Sequence, residues 1–201
     1  MAKSLIQNND GRQLEAGEAG TGETMFRRKL TASQGLQDLF ELVKEVVWKS
    51  LQRDQAGLML GLAELGIGSQ RVLGAFYSPD ANTIVMNKTL MGHVEKLADP
   101  LLYKSYCFYI LLHEYLHSCG FYDEGQNRQI VAAIAASCFG PGHVISKLSA
   151  SPEAMLKLIS DSFKVVREKP GGQEGSDGEM ISDSGIEFVE GIDRRNTNYI
   201  M

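Results

Sequence analysis

Residues 111–124 read LLHEYLHSCGFYDE, and this stretch decides how the rest of the chain must fold. It contains His113 and His117 with Glu114 between them. Residues four apart lie on one face of an α-helix, about 6 Å apart along its axis, so the two imidazoles can bind one metal ion. Glu114 beside them can take a proton from a water on that metal. The stretch therefore predicts a zinc centre on a helix.

The helix that carries this pair is predicted over residues 100–119. Asp99 followed by Pro100 is a strong start, because aspartate caps a helix and proline is tolerated at its first position. Apolar residues cover nearly every face of the segment, which predicts a central, buried helix. Gly120 stands where a left-handed stop is expected, so the histidines fall on the last two turns, just before a sharp bend.

The remaining elements follow from the spacing of apolar residues. Helical spacing predicts further helices over about residues 33–52, 54–64, 88–96 and 124–138 and from about residue 152. Two short apolar runs, 72–77 and 83–87, flank a turn of Ser, Pro, Asp, Ala and Asn, which indicates a hairpin. The predicted fold class is α+β and mainly helical, with a short β-sheet beside the central helix.

The two ends of the chain differ in composition from the middle. Residues 1–30 are polar and Gly-rich, which predicts a flexible N-terminal arm. Residues 31–168 would form the folded domain. Residues 169–201 are expected to form an acidic, flexible tail. A short strand over 186–190 would let that tail dock on its own domain or on a partner.

Bulk properties exclude several classes of protein. The 201 residues are 43% hydrophobic and 22% charged, which is typical of a globular domain. The net charge of -5 argues against nucleic acid as a partner. Apolar runs are too short for a membrane span, and the first residues lack the apolar stretch of a secretory signal. Three cysteines without Cys-x-x-Cys spacing predict reduced thiols in a cytoplasmic protein.

The third metal ligand has three candidates. Asp123 ranks first, because Gly120 permits a turn that swings it back to the metal, and a carboxylate oxygen is an acceptable zinc ligand. His143, after a Gly-Pro-Gly bend, is the alternative. A helix of about 14 residues would carry it roughly 20 Å from the turn unless the chain folds back. Glu124 ranks third, because an i,i+4 ion pair with Arg128 would compete for its carboxylate.

These residues together give the pattern H-E-x-x-H-x-x-G-x-x-D, which resembles the zincin metallopeptidases. The position of Gly120 and Asp123 is similar to the metzincin branch, which usually carries histidine at the last position. SprT-like zincins take a third histidine from farther downstream, as His143 would be. Gluzincins take a glutamate from the following helix, usually farther along than Glu124. A metzincin Met-turn is not found, since Met155 lies in a predicted helix start.

The resemblance covers about residues 72–145 and implies a small zincin-like domain that hydrolyses peptide bonds. Zn²⁺ would be held by His113, His117 and a third ligand, with Glu114 as general base. Strand 83–87 would either hold a peptide or protein substrate by backbone pairing or simply be a strand of the core. The alternative is a zincin-fold metal-binding protein that acts in binding or regulation without peptidase activity. A helical interaction protein with an accidental motif is a third interpretation.

Overall fold

The computed structural model describes residues 19–66, 73–97, 99–151 and 185–192. This part of the chain is α+β and mainly helical, which confirms the predicted fold class. Its elements in chain order are α1 (Ala19–Ala32), α2 (Leu36–Leu51), β1 (Met59–Ala63), β2 (Ala75–Ser78), β3 (Thr83–Asn87), α3 (Lys88–Leu97), α4 (Pro100–Ser118), α5 (Glu124–Phe139), α6 (Val144–Ala150) and β4 (Glu187–Phe188).

Helix α4 lies at the centre of the core, as its apolar sequence predicts. The Asp99 carboxylate accepts hydrogen bonds from the N–H groups of Leu101 and Leu102 at 2.9 and 3.0 Å, which confirms the predicted cap. The helix packs against α2, α5 and α6 and against β2. Within the described ranges, no helix is both long and apolar enough to cross a membrane.

The sheet is mixed, with the strand order β2-β3-β1-β4. Strands β2 and β3 form the predicted hairpin, and β3 runs parallel to β1 on its other side. All five residues of β3 are buried. Because β1 and β2 pair with its two edges, strand 83–87 is the core strand of the two alternatives and does not hold a substrate by backbone pairing. In the described sheet, the edge beside α4 belongs to β2.

The helix predicted over residues 54–64 is wrong. Gln52 and Gly57 adopt positive φ angles of 55° and 67°, which end α2 and turn the chain before β1. Leu58, Leu60 and Leu62 are spaced by two, which is the period of a strand with one face buried. Leu58 and Leu60 are buried in the core, so the leucines that suggested a helix belong to β1 and to the residue just before it.

The flexible arm predicted over residues 1–30 is wrong for residues 19–30, because α1 begins at Ala19. Phe26 and Leu30, four residues apart on one face, are fully buried. Arg27 Nε donates to the Phe139 carbonyl at the end of α5 at 2.8 Å. The polar, Gly-rich segment before Phe26 hid this short apolar face. The first 18 residues of the predicted arm lie outside the described residues.

The described piece of the tail docks on its own domain. Strand β4 pairs antiparallel with β1, and the Val189 N–H donates to the Leu60 carbonyl at 3.0 Å. Gly61 permits the approach, because a Cβ there would overlap the Ile186 side chain. The strand predicted over 186–190 is thus present over two residues, Glu187–Phe188. The predicted domain boundary at residue 168, the linker after it and the helix from about 152 lie outside the described residues.

The assignment of α1 to the core predicts a large effect at Phe26. Phe26→Ala removes a ring that is 1% exposed and should lower the free energy of unfolding by about 3–5 kcal/mol. The matched control is Met25→Ala, whose side chain is 37% exposed and should change stability little. Chemical denaturation measures both variants. Equal, small losses would mean that α1 does not belong to the folded core.

Candidate metal centre

The end of α4 is fixed by a glycine turn. Gly120 has a φ of 97°, and its N–H donates to the His117 carbonyl at 3.0 Å. The Phe121 N–H donates to the Leu116 carbonyl at 3.1 Å. These two bonds form a Schellman motif, in which the contact between the buried side chains of Leu116 and Phe121 is expected. The turn predicted at Gly120 is confirmed, and it places the Phe121 carbonyl beside the last turn of α4.

That carbonyl determines which ring nitrogen of neutral His117 carries the hydrogen. His117 Nδ1 lies 2.8 Å from the Phe121 carbonyl oxygen. Because a carbonyl can only accept, Nδ1 must carry the hydrogen, and neutral His117 then keeps its lone pair on Nε2. Metal-binding histidines commonly donate their other ring nitrogen to a backbone carbonyl in this way.

The two histidines are brought together as the motif predicts. Their Nε2 atoms lie 3.1 Å apart, and their rings are nearly perpendicular. The side chains of His113 and His117 are only 15% and 13% exposed. Burial lowers the pKa of His113, and the nearby His117 lowers it further. The environment of His113 thus favours the neutral imidazole that binds a metal.

The third member of the group is Glu124, the first residue of α5. Its Oε1 lies 3.2 Å from His117 Nε2, and its Oε2 lies 3.4 Å from His113 Nε2. The three side chains offer ligand atoms within 4.8 Å of one another, so they could hold a metal ion. The Glu124 side chain is 61% exposed, which leaves the group open to solvent on one side.

Asp123 has a different role from the one predicted. Its side chain accepts a hydrogen bond from the Gln126 N–H at 2.7 Å and caps the N-terminus of α5. This bond turns the carboxylate toward the helix end, while the next residue, Glu124, faces the histidines. The structure therefore does not bring Asp123 to the histidines, as the sequence predicted, and brings Glu124 there in its place.

His143 does not join the group either. It caps α6, where its Nδ1 accepts a hydrogen bond from the Ile145 N–H at 3.3 Å. Its ring packs on Phe139, with centroids 5.3 Å apart, and Arg27 of α1 lies close enough to help burial lower its pKa. Helix α5 carries the chain away from the Gly120 turn, and α6 does not return His143 to it.

Arg128 does not remove Glu124 from the group. Its Nε lies 3.8 Å from Glu124 Oε2, longer than a hydrogen bond, and both side chains are exposed. The Glu124 carboxylate lies nearer to both histidines than to Arg128. Exposed ion pairs of this kind contribute at most about 1 kcal/mol, so the pair leaves the carboxylate available.

The donor set fits a tetrahedral zinc site. With bonds of about 2.0–2.1 Å, two ligands of a tetrahedral ion lie about 3.3 Å apart. The three separations in this group are 3.1, 3.2 and 3.4 Å. Two imidazoles and one carboxylate suit Zn²⁺ better than the all-oxygen sets that Mg²⁺ and Ca²⁺ prefer. Three protein ligands would also leave one position for water or substrate, as catalytic sites do.

Glu114 lies beside the group but is buried. Burial raises the pKa of its carboxyl to about 7, a backbone hydrogen bond from Tyr77 opposes this rise, and the charge of Glu124 adds to it. A pKa near 7 is typical of a group that exchanges protons. The carboxyl of Glu114 accepts from the backbone of β2, and the residue lines the same cavity as the donor group.

A cavity of about 490 Å³ joins these residues. It runs between α4 and β2 and is lined by His113, Glu114, His117 and Glu124 and by mainly apolar and aromatic side chains. Its volume and apolar walls are those of an ordinary ligand site. The cavity therefore opens on the buried carboxyl and on the side chains that could hold a metal ion.

The ladder between β2 and β3 shows which backbone groups of β2 point away from β3. The Asn87 N–H donates to the Gly74 carbonyl at 2.9 Å, so these residues form a hydrogen-bonded pair. Bonded and non-bonded pairs alternate in an antiparallel ladder. Ala75 and Tyr77 occupy the other parity, so their backbone groups point away from β3. Both residues line the cavity.

Two residues at this site carry no motif, and sequence reasoning missed them. Phe121 acts through its backbone carbonyl, which no side-chain pattern reports. Asn127 is fully buried on the core face of α5, where it shares a stripe with Ile130, Val131 and Ile134. A polar residue inside an apolar stripe was the available signal.

The assignment of the third ligand can be tested with one chemical change at two neighbouring positions. Glu124→Gln removes the anionic donor and should weaken Zn²⁺ binding by at least about 100-fold. The loss of a direct ligand should cost at least as much affinity as the largest loss seen for residues that only support a ligand. Asp123→Asn removes the neighbouring carboxylate but keeps the cap, because asparagine caps as well as aspartate. It should bind zinc like the wild type. Competition with a zinc chelator measures both affinities, and a loss confined to Asp123→Asn would reverse the assignment.

Comparison of this chain with protein-family models, curated proteins and solved structures finds no match. What the protein does is therefore inferred from its donor group, its buried carboxyl and its cavity.

Proposed function

We propose that this protein is a zinc-dependent peptidase. The observation that carries the proposal is a single cavity that holds three metal-binding side chains and the buried carboxyl of Glu114. A metal site with a structural role would need no such carboxyl and no opening to a cavity. The group is also open at Glu124, where water or a substrate can enter.

His113, His117 and Glu124 would hold the ion. Bound there, Zn²⁺ would lower the pKa of a water toward neutral and polarise the carbonyl of the scissile peptide bond. Glu114 accepts the proton of the attacking water and then gives it to the leaving amine. Among the carboxyls that line the cavity, Glu114 is the one outside the metal-binding group.

The edge of β2 supports a peptide as the substrate. An extended chain can pair with a free strand edge through backbone hydrogen bonds, which select a peptide without requiring a particular sequence. The outward backbone groups of Ala75 and the outward carbonyl of Tyr77 lie on the wall of the cavity opposite α4, while the Tyr77 N–H already donates to Glu114. Strand β2 therefore takes the role that the sequence assigned to strand 83–87.

The substrate class follows from the same surfaces. Apolar and aromatic side chains dominate the cavity, so an extended peptide with a bulky apolar residue near the scissile bond suits it best. We place this activity in the cytoplasm, where the three free thiols of Cys107, Cys119 and Cys138 would stay reduced.

The test of the proposal is Glu114→Gln. The substitution keeps the size of the side chain and all three metal-binding residues, but an amide cannot accept the proton of water. Zinc affinity should stay near the wild-type value, while kcat/KM for peptide hydrolysis should fall by about 100-fold or more. Mass spectrometry of a defined peptide library, incubated with the zinc-loaded proteins, measures cleavage.

The control for this test is Glu187→Gln, the same change at an exposed carboxylate that pairs with Lys88 on the far side of the sheet. It should hydrolyse peptides like the wild type. Undiminished hydrolysis by the Glu114→Gln protein would contradict the assigned base. A wild-type protein that binds zinc and cuts no peptide in the library would favour the alternative of metal binding without hydrolysis.

A further inference from the structure

Asn127 links the two metal-binding histidines through one buried amide. It lies on α5 three residues after Glu124 and is 0% exposed. Its Nδ2 donates to the backbone carbonyl of His113 at 3.1 Å and to that of Phe121 at 3.3 Å. One side chain on α5 thus holds the backbone of α4 at His113 and the turn that follows α4.

The Phe121 carbonyl is shared by two donors. It accepts from Asn127 Nδ2 and also from His117 Nδ1, at 2.8 Å. A carbonyl oxygen has two lone pairs, so both bonds can form at once. Asn127 therefore holds the acceptor that fixes the tautomer of His117, while it holds His113 directly by the main chain.

The chemistry of the amide leaves little freedom. Both partners are carbonyl oxygens, so only the NH₂ end of Asn127 can satisfy them, which fixes the orientation of the side chain. The Oδ1 atom is buried and has no hydrogen-bond partner among the described residues. A buried, unpaired acceptor is unfavourable, and an apolar side chain in this stripe would avoid it. The two donated bonds are thus the evident contribution of asparagine at this position.

We propose that Asn127 is a positioning residue of the metal site, an inference that rests on the proposed metal-binding group. Its amide holds His113 and the Phe121 carbonyl in register, and its helix carries Glu124. All three donors are thereby tied across the α4–α5 turn by one side chain. Removal of the amide frees the turn and lets His117 exchange between its two neutral tautomers.

The experiment uses the full chain and two measurements. Long-range ¹H–¹⁵N NMR spectra of the metal-free protein report which ring nitrogen of His117 carries the hydrogen. In the wild type this should be Nδ1, and in Asn127→Ala both tautomers should appear. Competition titration with Zn²⁺ should show that Asn127→Ala binds the ion about 10- to 100-fold more weakly than the wild type, the range seen for residues that support ligands.

A matched control separates positioning from stability. Ser146 is also buried, and its Oγ donates to the Gly140 carbonyl at 2.7 Å, away from His113 and His117. Ser146→Ala removes a comparable side-chain bond to a turn. It should lower the denaturation midpoint but leave the His117 tautomer and zinc affinity unchanged. If Asn127→Ala does not fold, Asn127→Ser retains a single hydroxyl donor and should show both effects more weakly.

Wild-type zinc affinity and a single His117 tautomer in the folded Asn127 variant would overturn the inference. A wild-type protein with the hydrogen on His117 Nε2 would overturn it as well. The proposed peptidase activity is tested independently, because neither measurement uses a peptide. If Asn127→Ala loses zinc affinity in a protein that cuts nothing, the positioning role stands and the hydrolytic function falls.

Discussion

The hydrogen bond between His117 Nδ1 and the Phe121 carbonyl joins the fold to its chemistry. It exists because Gly120 adopts a positive φ and returns the chain against α4. The same bond leaves the Nε2 lone pair of His117 facing His113 and Glu124. A residue with a Cβ at position 120 would strain this turn, so one glycine determines where three potential ligands meet.

The group combines a rigid side with an open side. His113 and His117 project from a helix that is buried in the core and capped at its start by Asp99. Glu124 stands at the exposed start of α5, held by the Asp123 cap. Two ligands on a fixed helix and a third on a solvent-facing helix end would give an ion firm support and a free face. The cavity and the β2 edge lie on that face.

Local patterns predicted the elements that depend on local chemistry. The Asp99-Pro100 start of α4, the Gly120 turn and the hairpin of β2 and β3 follow from capping and turn residues. The helix predicted over 54–64 failed because leucines at 58, 60 and 62 fit a strand paired with β3, a long-range partner that local propensity does not report. The flexible arm predicted over residues 1–30 failed for a similar reason, because the burial of Phe26 depends on α5, where its ring contacts Phe139.

At the site, the motif predicted His113, Glu114 and His117. The choice between the adjacent residues Asp123 and Glu124 depends on how the backbone enters α5. The Asp123 carboxylate accepts from the Gln126 N–H, and sequence spacing could not show which of the two residues would cap the helix. The most direct measurement is a crystal structure of the zinc-soaked protein with anomalous data at the zinc edge. We expect one peak bound by Nε2 of His113, Nε2 of His117 and the Glu124 carboxylate. A peak at Asp123 or His143, or no peak at the histidines, would contradict the proposed metal centre.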